Sequence, residues 1–159
     1  MKKSIWVLGA YFLLAACSTT IKTSQEIPPQ IRQDIVVREV SVQIADGAVV
    51  PADIPTRLQQ AVLQRAAERG KGTTPAALKI TITQFNVVSI AGRFFGGPFG
   101  GSNKLDVAVD VAAPDGTILG HYTVEREANP GGYGIYFDQT QSTINDTANG
   151  VMDGLYDPR

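Results

Sequence analysis

The 159-residue chain is poor in the side chains that most often carry chemistry. It has one cysteine, Cys17, and one histidine, His121. A single cysteine rules out an intrachain disulfide, so the core alone must hold the fold. Zinc sites draw on three or four Cys, His or carboxylate ligands, and no such spacing occurs. There is no apolar run near the roughly 20 residues that a membrane-spanning helix needs. Basic residues are not in excess, with 14 Lys plus Arg against 15 Asp plus Glu, so the electrostatic footprint of a nucleic-acid binder is missing. No G-x-S-x-G elbow occurs. No phosphate-loop lysine and no GxGxxG spacing occur either. These absences argue against an enzyme, and no cofactor is expected.

What is present begins at the amino terminus. Lys2 and Lys3 precede an apolar run at 5–14, and the small residues Ala15 and Ala16 lead to Cys17. That is the anatomy of a secretory signal. Leu14-Ala15-Ala16-Cys17 resembles the bacterial lipobox, at which a diacylglycerol is attached to the cysteine sulfur. The resemblance implies cleavage before Cys17, which becomes the acylated first residue, carrying chains such as palmitate. One acyl chain binds a bilayer only marginally, whereas two or more anchor it firmly. The alternative is an ordinary signal peptide cleaved beside a free thiol. By the sorting rule of such lipoproteins, Ser18 in place of an aspartate favours the outer membrane, facing the periplasm. Removal of residues 1–16 takes away two lysines and no acids, moving the formal charge from −1 to −3.

Residues 17–33 are rich in Ser, Thr, Gln and Pro, with Pro28-Pro29 in the middle, and they read as a flexible tether. Fully extended, it would allow a stand-off of about 50 Å. Residues 34–159 read as one domain. A strand is predicted at 35–45, with Val36, Val40, Val42 and Ile44 on one face and Arg38 as the exception. A helix follows, with Asp53 as its N-cap, Pro55 in the first turn and Gly70 as a left-handed C-terminal residue. Its apolar stripe is Ile54, Leu58, Ala61, Val62 and Ala66.

The second strand, at 77–90, changes phase: Leu78, Ile80 and Ile82 share a parity that Phe85 and Val87 do not. One extra residue near Thr83-Gln84, a β-bulge, would restore a single apolar face. The alternative is a strand buried on both sides toward its end. Strands at 104–112 and 117–126 form a hairpin across the Pro114-Asp115-Gly116 turn. A last helix at 139–156 carries Ile144, Ala148, Val151, Met152 and Leu155 on one face, weakened by Gly150 and Gly154. The expected fold is α+β: a two-layer sandwich in the order β-α-β-β-β-α, with a mostly antiparallel sheet and helices on one face.

Between the second and third strands lies a glycine-rich loop, 91–103, holding Arg93, Phe94, Phe95 and Phe99. A phosphate cradle fails the pattern test, because no Gly-Lys-Ser/Thr closes the loop and a strand follows it. Two readings stay open. The phenylalanines fold back over the core, or they dock on a partner protein or the membrane surface. A second glycine and aromatic segment, with Tyr133 and Tyr136, precedes the last helix, and the meander places both loops at one end of the sheet. His121 reads as a solvated strand residue rather than a general base. Asp106 and Asp110, about 13 Å apart along one strand, read as a solubilising outer face rather than a glycosidase pair.

The stretch from Arg93 through the glycines and Ser102, the alternating strand Leu105 to Val111, and Asp115-Gly116-Thr117-Ile118-Leu119 resembles small uncharacterised envelope lipoproteins. Their domain is similar to the amino-terminal fold of the TolB protein. The resemblance implies an outer-membrane lipoprotein without catalytic residues to carry over. The expected partners are the membrane, through lipid on Cys17, and an envelope protein, with no nucleic acid. The expected role is a binding or accessory module. A structural subunit of a transport or secretion assembly is the alternative, and a cell-envelope enzyme is a weaker one.

Overall fold

The computed structural model describes residues 18–87, 102–128 and 139–157. In chain order they form β1 (Ser18–Gln25), α1 (Pro29–Arg32), β2 (Ile35–Ile44), α2 (Ile54–Arg69), β3 (Thr74–Asn86), β4 (Asn103–Ala112), β5 (Ile118–Ala128) and α3 (Gln139–Tyr156). The five strands make one sheet in the order β1-β5-β4-β3-β2. Only β2 and β3 run parallel, joined across α2; the other neighbours are antiparallel. The α+β class, the mostly antiparallel sheet and the packing of helices on it agree with the sequence-based expectation.

The tether does not. Residues 18–25 are an edge strand paired with β5, and 29–32 form a short helix. The segment lacks apolar periodicity because it covers the margin of the sheet rather than the core: of its eight residues only Ile21 is even half-buried. Its β-branched Thr19, Thr20, Ile21 and Thr23 carried the signal. Beyond it, Ile27 is buried against the core, and a Cβ at Gly120 would strike it.

The interior follows from strand alternation and one helical stripe. Leu78, Ile80 and Ile82 of β3, Leu105, Val107, Val109 and Val111 of β4, and Tyr122 and Val124 of β5 are fully or almost fully buried. Ile54, Leu58, Val62 and Ala66 of α2 and Ile144, Ala148, Val151, Met152 and Leu155 of α3 cover them. Each buried Val, Leu, Ile or Met side chain among them contributes about 1.5–3 kcal/mol of transfer free energy. The bulge is where the phase change demands it: β3 and β4 slip register between Ile82 and Gln84, after which Phe85 packs inward opposite Leu105. A second bulge, at Arg38, explains that residue's exception. The register of β2 shifts between Val37 and Glu39, so Ile35 and Val40 are buried instead of Val36 and Val40.

Asp53 and Gly70 stand at the two caps of α2 as expected, but how each acts is corrected. Asp53 precedes α2 but caps no backbone N–H; its carboxylate pairs with Arg57 at 3.1 Å. Gly70 is extended, with φ −73° and ψ 99°, rather than left-handed. It is needed for space, since a Cβ there would lie 2.9 Å from the Ala66 carbonyl and 3.3 Å from the Tyr156 hydroxyl. Left-handed glycines occur instead at Gly47 and at Gly116 of the β4–β5 turn. In that turn the Asp115 carboxylate accepts the Thr117 N–H at 2.9 Å.

Gly150 and Gly154 serve contact rather than weakness. A Cβ at Gly150 would sit 2.6 Å from Val124 and 2.8 Å from Thr19, and one at Gly154 would enter the Tyr122 ring. α3 can therefore lie close on β5 and β1.

Candidate functional site

All residues singled out from sequence as sites lie outside the described residues: Cys17, Arg93, Phe94, Phe95, Phe99, Tyr133 and Tyr136. The strands that bear the two aromatic segments are described. β3 ends at Asn86, which pairs with Lys104, and β5 ends at Ala128, which pairs with Asn103. Both segments thus leave the sheet at one end, beside the start of β4. Ser18 pairs with Glu127 in the same row, so β1 begins at this end too.

Just inside this end is a polar cluster that sequence reading missed. Arg126 occupies an inward position of β5 and is 8% exposed. Its guanidinium donates to Asp146 of α3 at 2.7 Å and to the Thr19 hydroxyl of β1 at 3.1 Å, tying helix and edge strand to the sheet. Its Nε is buried with no hydrogen-bond partner among the described residues. Asn103, Thr143 and Thr147 are buried nearby, and the two threonine hydroxyls donate to carbonyls one turn back in α3. An arginine breaking an apolar alternation, Tyr122-Val124-Arg126-Ala128, was the available signal. At the rim the Ser102 hydroxyl donates to Glu127 at 2.6 Å, which with Lys104 holds that carboxyl below its usual range.

The outer sheet face is polar. His121 is half-exposed, and its Nδ1 lies 2.5 Å from the Asp110 carboxylate across the β4–β5 ladder. Asp106, on the same face, accepts the Arg126 N–H at 3.2 Å; partial burial raises its carboxyl pKa, reinforced by Glu125 and Glu127. Among the described residues no group of three His, Cys, Asp or Glu side chains could hold a metal. No described helix is long and apolar enough to cross a membrane.

The opposite end of the sheet holds an open cleft of about 360 Å³ lined by Gln33, Glu68, Arg69, Lys71 and Tyr156. The Tyr156 hydroxyl donates to the Ile35 carbonyl at 3.0 Å, and Arg69 pairs with Asp153 at 2.6 Å. Next to it Asp34 accepts the Thr73 N–H at 3.0 Å, with the Thr73 and Thr74 hydroxyls also donating to its carboxylate. The Thr74 hydroxyl first, then Thr73, hold this carboxyl below its ordinary value of 3.8. A depressed folded-state pKa means that the unfolded chain takes up the proton first. Asp34 therefore stabilises the fold above about pH 3.8 and loses that contribution as pH falls through the lower folded value. Urea unfolding of wild type and Asp34→Asn should differ most near neutrality, and the gap should close in acid.

No protein-family model matches the chain, and no curated protein matches it. Solved structures do share the fold. The PelC dodecamer from Paraburkholderia phytofirmans, as a single-substitution variant, superimposes with a TM-score of 0.60 at 12% identity, covering 89% of this chain and 100% of that one. The PelC dodecamer in a second crystal form gives 0.58 at 13% identity, over 86% and 98%. At such identities the likeness is one of fold.

Proposed function

We propose that this chain is an outer-membrane-anchored, periplasm-facing lipoprotein whose domain binds or supports another component of the cell envelope. The observation that carries this reading is Leu14-Ala15-Ala16-Cys17 behind a basic start and an apolar run. That β1 already pairs from Ser18, the residue after Cys17, is consistent with it. In this reading Cys17 carries the lipid, and Arg93, Phe94, Phe95, Phe99, Tyr133 and Tyr136 supply an aromatic contact surface. The common rooting of their two segments beside the start of β4 supports one surface rather than two. The module acts by binding, not catalysis.

The test is crosslinking in cells, detergent extraction, affinity purification and mass spectrometry of the acylated protein. One envelope protein should recur with wild type and be lost when Phe94, Phe95, Phe99 and Tyr133 are changed together to serine. An unchanged partner set would contradict the contact surface.

A second reading, a structural subunit of an envelope transport or secretion assembly, is favoured by the fold shared with a protein that crystallised as a dodecamer. Head-to-tail contacts can close such a ring. Both β1 and β2 are edge strands and run in opposite directions, which would let neighbouring copies pair antiparallel. A detergent-solubilised mass of many protomers would support the subunit, and a monomer the transient binder.

A further inference from the structure

Resting on the lipid-anchor reading, the structure assigns the sheet end that carries Ser18 as the face seated on the membrane. Ser18 pairs with Glu127, Glu127 with Lys104, and Lys104 with Asn86, so one row crosses four strands at this end. Cys17 lies a single peptide before Ser18, and consecutive Cα atoms are about 3.8 Å apart. An acylated sulfur on Cys17 therefore meets the bilayer at this row. The 50 Å of slack expected from a free tether is not there.

The short anchor holds only if β1 stays on the sheet, and several contacts keep it there. Lys22 pairs with Glu125 at 2.6 Å, and Thr19 accepts from the buried Arg126. Gln25 donates to the Ile118 carbonyl at 3.1 Å, and Ile27 is seated in the core just beyond. Thr19 also packs over Gly150 of α3, where a Cβ would intrude. Peeling β1 away would break its ladder with β5 along the whole strand.

The described side chains of the row fit phospholipid headgroups, and the two aromatic segments leave the sheet beside them. Lys104, Glu127, Ser102 and Asn86 are polar, and Lys104 and Glu127 lie 3.5 Å apart. Of the large apolar side chains exposed among the described residues, Leu63 and Ile118 lie away from the row, whereas Ile44 closes β2 toward this same end and Val49 follows it. Lipid on Cys17 supplies insertion, and the polar row rests on the headgroup layer. The domain then stands end-on. The thirteen residues of β3 place the Tyr156 cleft roughly 40 Å further out, at about 3.3 Å per residue.

The full-length acylated protein, reconstituted in phosphatidylethanolamine–phosphatidylglycerol vesicles carrying a nitroxide-headgroup lipid, tests this. A fluorophore is placed at Asn86→Cys or, at the far end, at Lys71→Cys; both positions are exposed. Thioether-bound Cys17 does not compete for the label. Most of the fluorescence at position 86 should be quenched and none at 71. A flexible Gly-Ser linker of about 15 residues inserted between Cys17 and Ser18 should abolish the difference. Equal quenching at both positions in a protein that floats with the vesicles overturns the seating, as does near-end quenching that survives the linker. Failure of the protein to float, with no acyl mass on Cys17, overturns the anchor reading itself.

Discussion

Asp146→Ala is expected to lower folding stability by about 2–3 kcal/mol, read as a lower urea midpoint at unchanged slope. Arg126→Met should cost clearly less, about 1 kcal/mol. The asymmetry follows from burial. The Arg126 side chain is 10% exposed and that of Asp146 is 36% exposed. Removing Asp146 strands a cation inside the domain, with only the Thr19 hydroxyl, among the described residues, left to accept from it. Removing Arg126 instead leaves a carboxylate that water reaches, while methionine fills the space against the core. Full burial of both partners would put the first loss at about 3–5 kcal/mol; solvent around Asp146 brings it lower. Equal losses would mean that the pair acts as an exposed surface bridge, worth about 0–1 kcal/mol.

The close approach of α3 to β5 gives a second large effect, with a change of sign. Tyr122 is 1% exposed, and its hydroxyl donates to the Val151 carbonyl at 2.6 Å. Burial pushes its phenol pKa far up, so it remains a donor at any working pH. Tyr122→Ala should cost about 4 kcal/mol through the cavity it leaves. Gly154→Ala alone should cost about 2 kcal/mol, because its methyl group enters the space of the Tyr122 ring and overpacks the core. In the Tyr122→Ala background that obstacle is gone. The helix preference for alanine over glycine, about 1 kcal/mol, then remains. Gly154→Ala should there become neutral or stabilising, a coupling that chemical denaturation of the four proteins resolves. Additive losses would show that the ring does not set the helix–sheet distance.

The parts of the fold legible in the sequence were those in which one face is buried and the other wet. From Lys104 to Val111 β4 alternates in both residue type and burial, and the pattern breaks only at Ala112, where the register with β5 shifts. The phase slip at Thr83 located a bulge because side chains in a strand repeat every two residues, and only an inserted residue repairs the parity. The same logic was available at Arg38, where a single charged exception in an apolar face marked the second bulge.

β1 was illegible for the opposite reason. A strand on the rim buries nothing that periodicity can report, and its serines, threonines and glutamine look like a linker. Its pairing partner, β5, lies about a hundred residues away. Gly70 and Asp53 were legible as the cap positions of α2, but not how each acts, because cap preferences do not weigh a competing side-chain neighbour. Here the Tyr156 hydroxyl and the Arg57 guanidinium decided their roles. The buried Arg126–Asp146 tie was visible only as an arginine in an apolar position. Its partner on α3 required the fold.

The lipid proposed at Cys17 is what seats the domain on the membrane, and it is also the simplest feature to measure. The protein should be extracted from the membranes of cells expressing the full chain and its amino-terminal peptide weighed intact. The predicted result is a peptide beginning at Cys17 and carrying a diacylglyceryl group, with residues 1–16 gone. A peptide beginning elsewhere, or an unmodified Cys17 in a protein recovered free of membranes, would contradict the anchor and with it the membrane-seated domain.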